Sequence, residues 1–297
     1  MKIFHLNNPV SGHTNGAKFF PRISKALAAR GIECDFAQTE YVGHGTELVQ
    51  KLDFDRYDAI AVSGGDGTLF EALNGYFANT SAKRIPIGVI PIGRGNAFAR
   101  DLDLIPERWE EAITAIHGLK IRKVDVGRFT TGEKTFYFIN ILGFGFVTDI
   151  AATALRLRML GDLSYLIGVF HRTIALKPYN LKMEYDGKTI ERENIFVEIS
   201  NSRYTGKDFL MAPEASIDDG LLDVTLLNKV TRRRLLQCLP KVFTGTHGTM
   251  EEVETFRARH LKIQTSPTKI LTPDGQLMGS TPIEVECLSG AIDILTL

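Results

Sequence analysis

The chain has 297 residues, room for two domains of about 100–200 residues each, and its 44% hydrophobic and 24% charged content are those of a globular protein. Lys plus Arg and Asp plus Glu balance at 35 each, which argues against a dedicated nucleic-acid binder with a basic excess. The cysteines, Cys34, Cys238 and Cys287, lie far apart without metal-ligand spacing, so the chain reads as one from a reducing compartment with no disulfide framework.

The N-terminus, Met1 to Leu6, is too short and too interrupted for a signal peptide. The most apolar window, Tyr137 to Leu155, carries Asn140, Asp149, Gly143 and Gly145 and makes a poor membrane span. A cytoplasmic location follows as the expectation, with any membrane contact peripheral, at the inner face.

Residues 2–6 read as a buried strand, followed by the turn cluster Asn7 to Gly12. Phe20, Ile23 and Leu27 fall at helical spacing, with Gly31 suited to the helix end. A second strand follows at Ile32 to Thr39, then a short helix at about 46–52. The run Ala59 to Val62 is a third strand, and Pro86 to Ile90 a fourth. Each of these two leads into a glycine loop: Ser63-Gly64-Gly65-Asp66-Gly67-Thr68, and Pro91-Ile92-Gly93-Arg94-Gly95-Asn96-Ala97-Phe98-Ala99-Arg100. Glu107 to Ile116 is a further helix. Strands alternating with helices imply a mostly parallel sheet covered on both faces, with ligands at the carboxyl ends of its strands.

After Val124 to Gly127 the pattern changes to short strands: Phe136 to Leu142, Leu181 to Tyr185, Ile195 to Ser200, Leu222 to Leu227 and Leu261 to Gln264. Asp186-Gly187 is a hairpin signal. The expected fold is therefore α/β plus β: a Rossmann-like nucleotide domain with a mostly parallel sheet over residues 1–126, then an antiparallel β-sandwich over 127–289. The last strand, about 290–297, can return to the first domain. A helical stretch, about 149–176, interrupts the second domain and mixes Arg156, Arg158 and Arg172 with apolar residues, a composition that suits either lipid access or ordinary packing. Arg232-Arg233-Arg234 opens a helix capped by Thr231, as a solvated face or a neighbour of anionic headgroups.

The chemistry concentrates in the turn Ser63 to Thr68. Strand, glycine turn and helix in that order free backbone N–H groups to meet phosphate oxygens. Asp66 within the turn can hold Mg2+ or accept a proton from an attacking hydroxyl. An ordinary tight turn rich in Gly and Asp is the bland alternative.

Together these motifs resemble the diacylglycerol kinase catalytic superfamily, most of all the bacterial lipid kinases, with sphingosine kinases as relatives. Asn8-Pro9-Val10-Ser11-Gly12 is similar to its first nucleotide loop, and Gly64 to Thr68 with Glu71 and Asn74 to its GGDGT block and the helix that follows. Pro91 to Arg100 is similar to its third glycine loop. Ser200 to Gly206, Ala212-Pro213 and Asp218 to Asp223 resemble its second-domain signature. The resemblance implies ATP-dependent phosphoryl transfer, helped by Mg2+, to a hydroxyl of a diacylglycerol-like or sphingoid lipid at a membrane surface. It implies nucleotide contacts at Asn8, Thr39, Gly64, Gly65, Asp66, Gly67, Thr68, Arg94 and Asn96. Asp66 would be the base or metal holder, Asp125 the second aspartate of the acidic cluster, and Glu71 a third carboxylate if its helix turns inward. Asp219 with the carbonyls of Ser216 and Leu221 resembles a structural Mg2+ site, with a type I turn as the alternative. A homodimer is left open.

Three positions depart from the family pattern. Arg94 stands where the third loop often has a small hydroxyl residue, and Ala97 where it has an aspartate. Gln276 follows Asp274-Gly275 where many bacterial members have a glutamate, the proposed base. A neutral amide cannot take a proton, so Asp66 is left to do so or turnover is weak. The rivals are an NAD kinase-like enzyme, which shares GGDGT but not the Ala212-Pro213 signature, and a nucleotide- or lipid-binding protein of little activity.

Overall fold

The computed structural model describes residues 1–146, 148, 173, 176–206 and 209–297, with backbone only at 13–15 and 239. The expected helical stretch at about 149–176, with Arg156, Arg158 and Arg172, lies outside the described residues.

The N-terminal part alternates β1 (Lys2–Asn7), α1 (Ser11–Ala29), β2 (Glu33–Gln38), α2 (His44–Gln50), β3 (Ala59–Gly64), α3 (Asp66–Ala78), β4 (Ile87–Pro91), α4 (Ala97–Asp101) and α5 (Glu110–Gly118). Strands β1 to β4 pair in parallel in the order β2-β1-β3-β4. Strands β3 and β4 are buried at every position, as strands covered on both faces must be. Ile3, Leu6, Ile60, Leu73, Ile87 and Ile113 form the centre of this core.

The second part is built on antiparallel pairing: β5 (Lys120–Thr131), β6 (Lys134–Phe138), β7 (Ile141–Gly145), β8 (Tyr179–Tyr185), β9 (Lys188–Ser200), β10 (Tyr204–Thr205), β11 (Phe209–Leu210), β12 (Leu222–Asn228), β13 (Val253–Ala258), β14 (His260–Ser266), β15 (Ile270–Pro273), β16 (Met278–Ser280) and β17 (Ile283–Thr296). A helix, α6 (Arg232–Phe243), lies between β12 and β13, and the Thr231 hydroxyl accepts from the Arg234 amide at its start. Strands β8 and β9 join through the two-residue turn Asp186-Gly187, both at positive φ (47° and 74°), the conformation an Asp-Gly pair favours. Phe129, Phe138, Phe144, Leu181, Val224 and Val285 fill a second core.

Two expected boundaries fall inside continuous elements. Strand β5 runs unbroken from 120 to 131, through the place where a domain boundary was expected near 125–130. Strand β17 pairs with β5 along both stretches, shifts register between Leu288 and Ile292, and ends in parallel to β4 at Ile87. The expected single strand Phe136 to Leu142 is instead split into β6 and β7 at Ile139-Asn140. The Asp274 carboxylate accepts from the amides of Ile139, Asn140 and Ile141, and the backbone bends around it.

Asp125 sits where β5 crosses from one half to the other, fully buried. Its carboxylate accepts from the Gly220 amide (2.5 Å) and the Gly290 amide (2.7 Å). Both glycines have positive φ, 76° and 56°. Asp125 thus pins the Asp219-Gly220 turn and the β17 irregularity to β5. Charge-assisted bonds to backbone amides are the strong kind. Asp125→Ala should lower unfolding free energy by roughly 2–4 kcal/mol, since two amides lose a charged acceptor. Urea titration checks this as a lower midpoint at unchanged slope.

Candidate active site

Asn8, Thr39, Gly65 and Gly93 each follow a parallel strand, so all four gather at one edge of the sheet. The Asn8 side chain donates to Thr68 Oγ1 (2.9 Å) and accepts from the Val10 amide (3.1 Å). The Thr39 amide donates to the Asn7 carbonyl (2.9 Å), which sets Thr39 beside Asn8. Helix α3 starts at Asp66 with Gly65 as its N-cap and no side-chain cap. Its first amides are therefore available for an anion, and a carboxylate in the first turn suits the helix dipole.

The glycines are set by close approach. A Cβ on Gly93 would lie 2.3 Å from the Gly65 Cα, backbone against backbone. A Cβ on Gly95 would lie 2.7 Å from Asp66 Oδ2, and one on Gly67 2.5 Å from Gln276 Nε2. The two loops thus touch, with Gln276 over the start of α3 and Arg94 exposed at the rim.

Asn96 is bound within its own loop. It takes positive φ (53°), and its side-chain amide closes on Gly93, accepting from the Gly93 amide (2.9 Å) and donating to the Gly93 carbonyl (2.8 Å). Its side chain shapes the loop. Glu71 turns elsewhere. Its carboxylate accepts from the amides of Gly43 (2.8 Å) and Gly45 (2.9 Å) at the start of α2. It holds α2 against α3 and does not join an acidic cluster.

The carboxyl that joins Asp66 is Asp274, not Asp125. Both line a cavity of about 190 Å3 that also includes Asn140, Thr205, Phe209 and Thr272. Asp66 Oδ1 accepts from the Phe98 amide (3.3 Å) and from Asn140 Nδ2 (3.2 Å). Ser202 Oγ donates to Asn140 Oδ1 (2.8 Å), which fixes that amide with its nitrogen toward Asp66. Burial pushes the Asp66 carboxyl above the usual carboxylate range, against the pull of these donors. Burial also pushes Asp274 up to about 7, with the nearby Asp66 charge adding to the rise, and three backbone donors opposing it. In the sequence Asp274 is marked only as the start of the Asp274-Gly275-Gln276 segment, with no role of its own; in the structure Asp274 and Gly275 both take positive φ. Asn140 and Ser202 carried no signal beyond lying in or near family-like segments.

The Ser216, Asp219, Leu221 set lies in a turn closed by its own side chains. Asp219 Oδ1 accepts from the Leu221 amide (3.0 Å), as in an Asx turn, and Oδ2 lies 3.7 Å from the Arg257 guanidinium. Ser216 Oγ donates to Asp218, and Asp218 is paired with Arg122 (2.8 Å). These contacts are those of the type I turn alternative, with Asp219 and two carbonyls left as the oxygen set that a hydrated Mg2+ would use. Among the described residues, no group of three or more His, Cys, Asp or Glu side chains converges on a point. Also among these, no helix is long and apolar enough to cross a membrane.

Touching glycine loops at the edge of a parallel sheet thus meet an antiparallel, sandwich-like part around a two-carboxyl cavity. The comparisons with known proteins give the family. Residues 2–129 match the diacylglycerol kinase catalytic domain, and residues 141–296 match the YegS C-terminal NAD kinase beta sandwich-like domain. The chain belongs to the diacylglycerol kinase catalytic domain family. It is 29% identical to a diacylglycerol kinase of Bacillus subtilis, over 94% of this chain and 91% of the other. It is 28% identical to a diacylglycerol kinase of Mycobacterium tuberculosis, over 99% and 94%. A crystal structure of a candidate diacylglycerol kinase from Bacillus anthracis superposes with a TM-score of 0.83 at 25% identity, covering 100% of this chain and 95% of that one.

Two outcomes test the geometry. Gly93→Ala should weaken ATP binding at least about tenfold, measured by calorimetric titration on protein of unchanged circular dichroism, because the two loops must part. Unchanged affinity would place the phosphates elsewhere. The second concerns pH. Asp274 and Glu198, the latter also pushed up by burial to about 7, keep their protons in the folded state where the unfolded chain has lost them. Their raised values stabilise the fold fully below the unfolded carboxyl range, about 4, and that contribution is lost as pH rises to and through about 7. Unfolding free energies at about pH 5 and 8 should therefore converge in Asp274→Asn relative to wild type. An identical pH slope in both proteins contradicts the assignment.

Proposed function

We propose that the protein is an ATP-dependent lipid kinase that passes the γ-phosphoryl group to a lipid hydroxyl presented at a membrane surface. The observation that carries this reading is the place of Asp66: it sits at the start of α3, between touching glycine loops, and lines a largely apolar cavity. The phosphates lie over Gly64 to Thr68 and Gly93 to Gly95, held by backbone amides, with the rim guanidinium of Arg94 in reach of them. Mg2+ carried by the nucleotide would supply positive charge against the developing charge of the transferring phosphoryl group, which leaves Asp66 free to act as the base.

The lipid hydroxyl enters the cavity beside Asp66. Its oxygen bonds to the γ-phosphorus as the bond from that phosphorus to the β,γ-bridging oxygen breaks. The hydroxyl proton passes to the Asp66 carboxylate, and ADP and the phospholipid leave. Burial raises the proton affinity of Asp66, which helps it accept. Asn140, held by Ser202, keeps the Asp66 carboxyl in place. Asp125 and Glu71 act at a distance, through the seam and through α2.

The NAD kinase-like alternative is weaker, since the curated relatives quoted above are diacylglycerol kinases over nearly their full length. A radiolabelled ATP assay across diacylglycerol, monoacylglycerol, sphingosine, ceramide, undecaprenol, phosphatidylglycerol and NAD decides among the readings. Asp66→Asn should lose at least about 100-fold in turnover, the scale of a lost general base, while still binding ATP. Gln276→Glu should leave turnover intact or raise it. Near-wild-type turnover in Asp66→Asn on the preferred lipid refutes the assignment, and label appearing only on NAD refutes the lipid reading.

A further inference from the structure

One wall of the acceptor cavity carries polar groups that the transfer step does not use. Thr205 of β10 and Thr272 of β15 both line it. Thr205 Oγ1 donates to Glu198 Oε1. Glu198 is 1% exposed, and among the described residues no basic side chain pairs with it. Thr272 is 2% exposed, and its Oγ1 has no hydrogen-bond partner among the described residues.

The sheet register explains why these groups meet. Glu198 on β9 pairs with Gly143 on β7, and Gly143 pairs with Thr272 on β15. Directly paired residues share a face of the sheet. Gly143 contributes no side chain, so Glu198 and Thr272 flank a gap on the cavity side. An apolar lipid tail needs none of this. A buried carboxyl and an unpaired buried hydroxyl are both costly unless something answers them.

We infer that Glu198 and Thr205, facing Thr272, form a second polar subsite that binds a hydrogen-bond donor on the acceptor lipid, beside the hydroxyl that is phosphorylated. This rests on the lipid-kinase reading. Ionised Glu198 keeps the Thr205 proton turned toward itself. The free lone pairs of Thr205 then face the cavity and accept. Thr272 can give or take. The lipid class that fits is one with a second donor near the reacting hydroxyl, such as a lipid diol or amino alcohol. A diester glycerol has only carbonyl acceptors there. Glu198 acts through Thr205 and is a positioning residue.

The test compares monooctanoylglycerol, which keeps a second hydroxyl, with dioctanoylglycerol, which does not. Binding of each is titrated with a non-hydrolysable ATP analogue present, at mildly alkaline pH, and kcat and KM are measured with ATP. Wild type should prefer monooctanoylglycerol. Thr205→Val should raise Kd and KM for it about tenfold, as for one lost hydrogen bond, with kcat within about twofold and dioctanoylglycerol unaffected. Thr205→Ser should restore wild-type values, and Glu198→Gln should shift them in the Val direction by less. If Thr205→Val does not fold, Thr205→Ala carries the test. Equal effects on both lipids, no effect in a folded variant, or no binding of either lipid by wild type overturns the subsite. Preferential binding that depends on Thr205 but without phosphorylation of either lipid leaves the subsite standing and removes the kinase reading. Phosphorylation of both lipids alike, independent of Thr205, does the reverse.

Discussion

The arrangement of the site depends on one buried carboxylate. Asp274 takes the amides of three consecutive residues, Ile139, Asn140 and Ile141. This ties the turn after β15 to the break between β6 and β7. It also aims Asn140, whose side chain then reaches Asp66 on the far side of the cavity. A carboxylate in that place satisfies three backbone donors that a bend in a sheet would otherwise strand. The cost is burial of its charge, visible in its raised proton affinity. The bend, the cavity and the partner of the candidate base all follow from that one exchange.

A second carboxylate does similar work at the other crossing. Asp125 holds the glycine amides at 220 and 290, where β17 shifts register. Strands β5 and β17 run through both halves, so the two parts of the chain share a sheet instead of hanging on a linker. Asn74 adds a third tie, exchanging hydrogen bonds with the backbone of Tyr137 from the helix that starts at Asp66. Phe77 and Tyr137 stack beside it, with ring centroids 4.1 Å apart. The helix that would meet the phosphates is therefore fixed directly to the strand next to the acceptor cavity. Such a seam allows a phosphate cradle from one half and an acceptor wall from the other to hold a constant distance, which phosphoryl transfer requires.

Local signals made the first half legible. Its central strands β3 and β4 are apolar runs that lead into glycine loops, and those loops lie where a parallel sheet places ligands. The Asp-Gly turn of β8 and β9 and the Thr231 cap were equally readable, because each is a short-range backbone rule. Three kinds of feature were not. The split at Ile139-Asn140 is caused by a residue more than a hundred positions later, so no window shows it. The roles of Glu71, Asn96 and Asp125 looked chemical by motif, yet each carboxylate or amide is taken by nearby backbone groups, which sequence spacing does not display. Glu198 looks like an ordinary charged residue on a strand. Only the register, with Gly143 between it and Thr272, shows that it faces inward.

The two neutral substitutions in the site, Ala97 and Gln276, make sense against the charge already present. Asp66 and Asp274 share one cavity of low polarity; burial raises the proton affinity of both, and the Asp66 charge adds to the rise at Asp274. In the proposed reaction a nucleotide would bring several more negative charges to the same place. Gln276 lies over the start of α3, where the amide nitrogen can donate to a phosphate without adding to that charge. A loose phosphoryl transition state asks for little proton removal until the new bond is well formed. One buried carboxyl with raised proton affinity meets that demand. In the proposed reaction the remaining requirement is placement of the phosphates, which would fall on the backbone amides of loops whose glycines leave no room for any side chain.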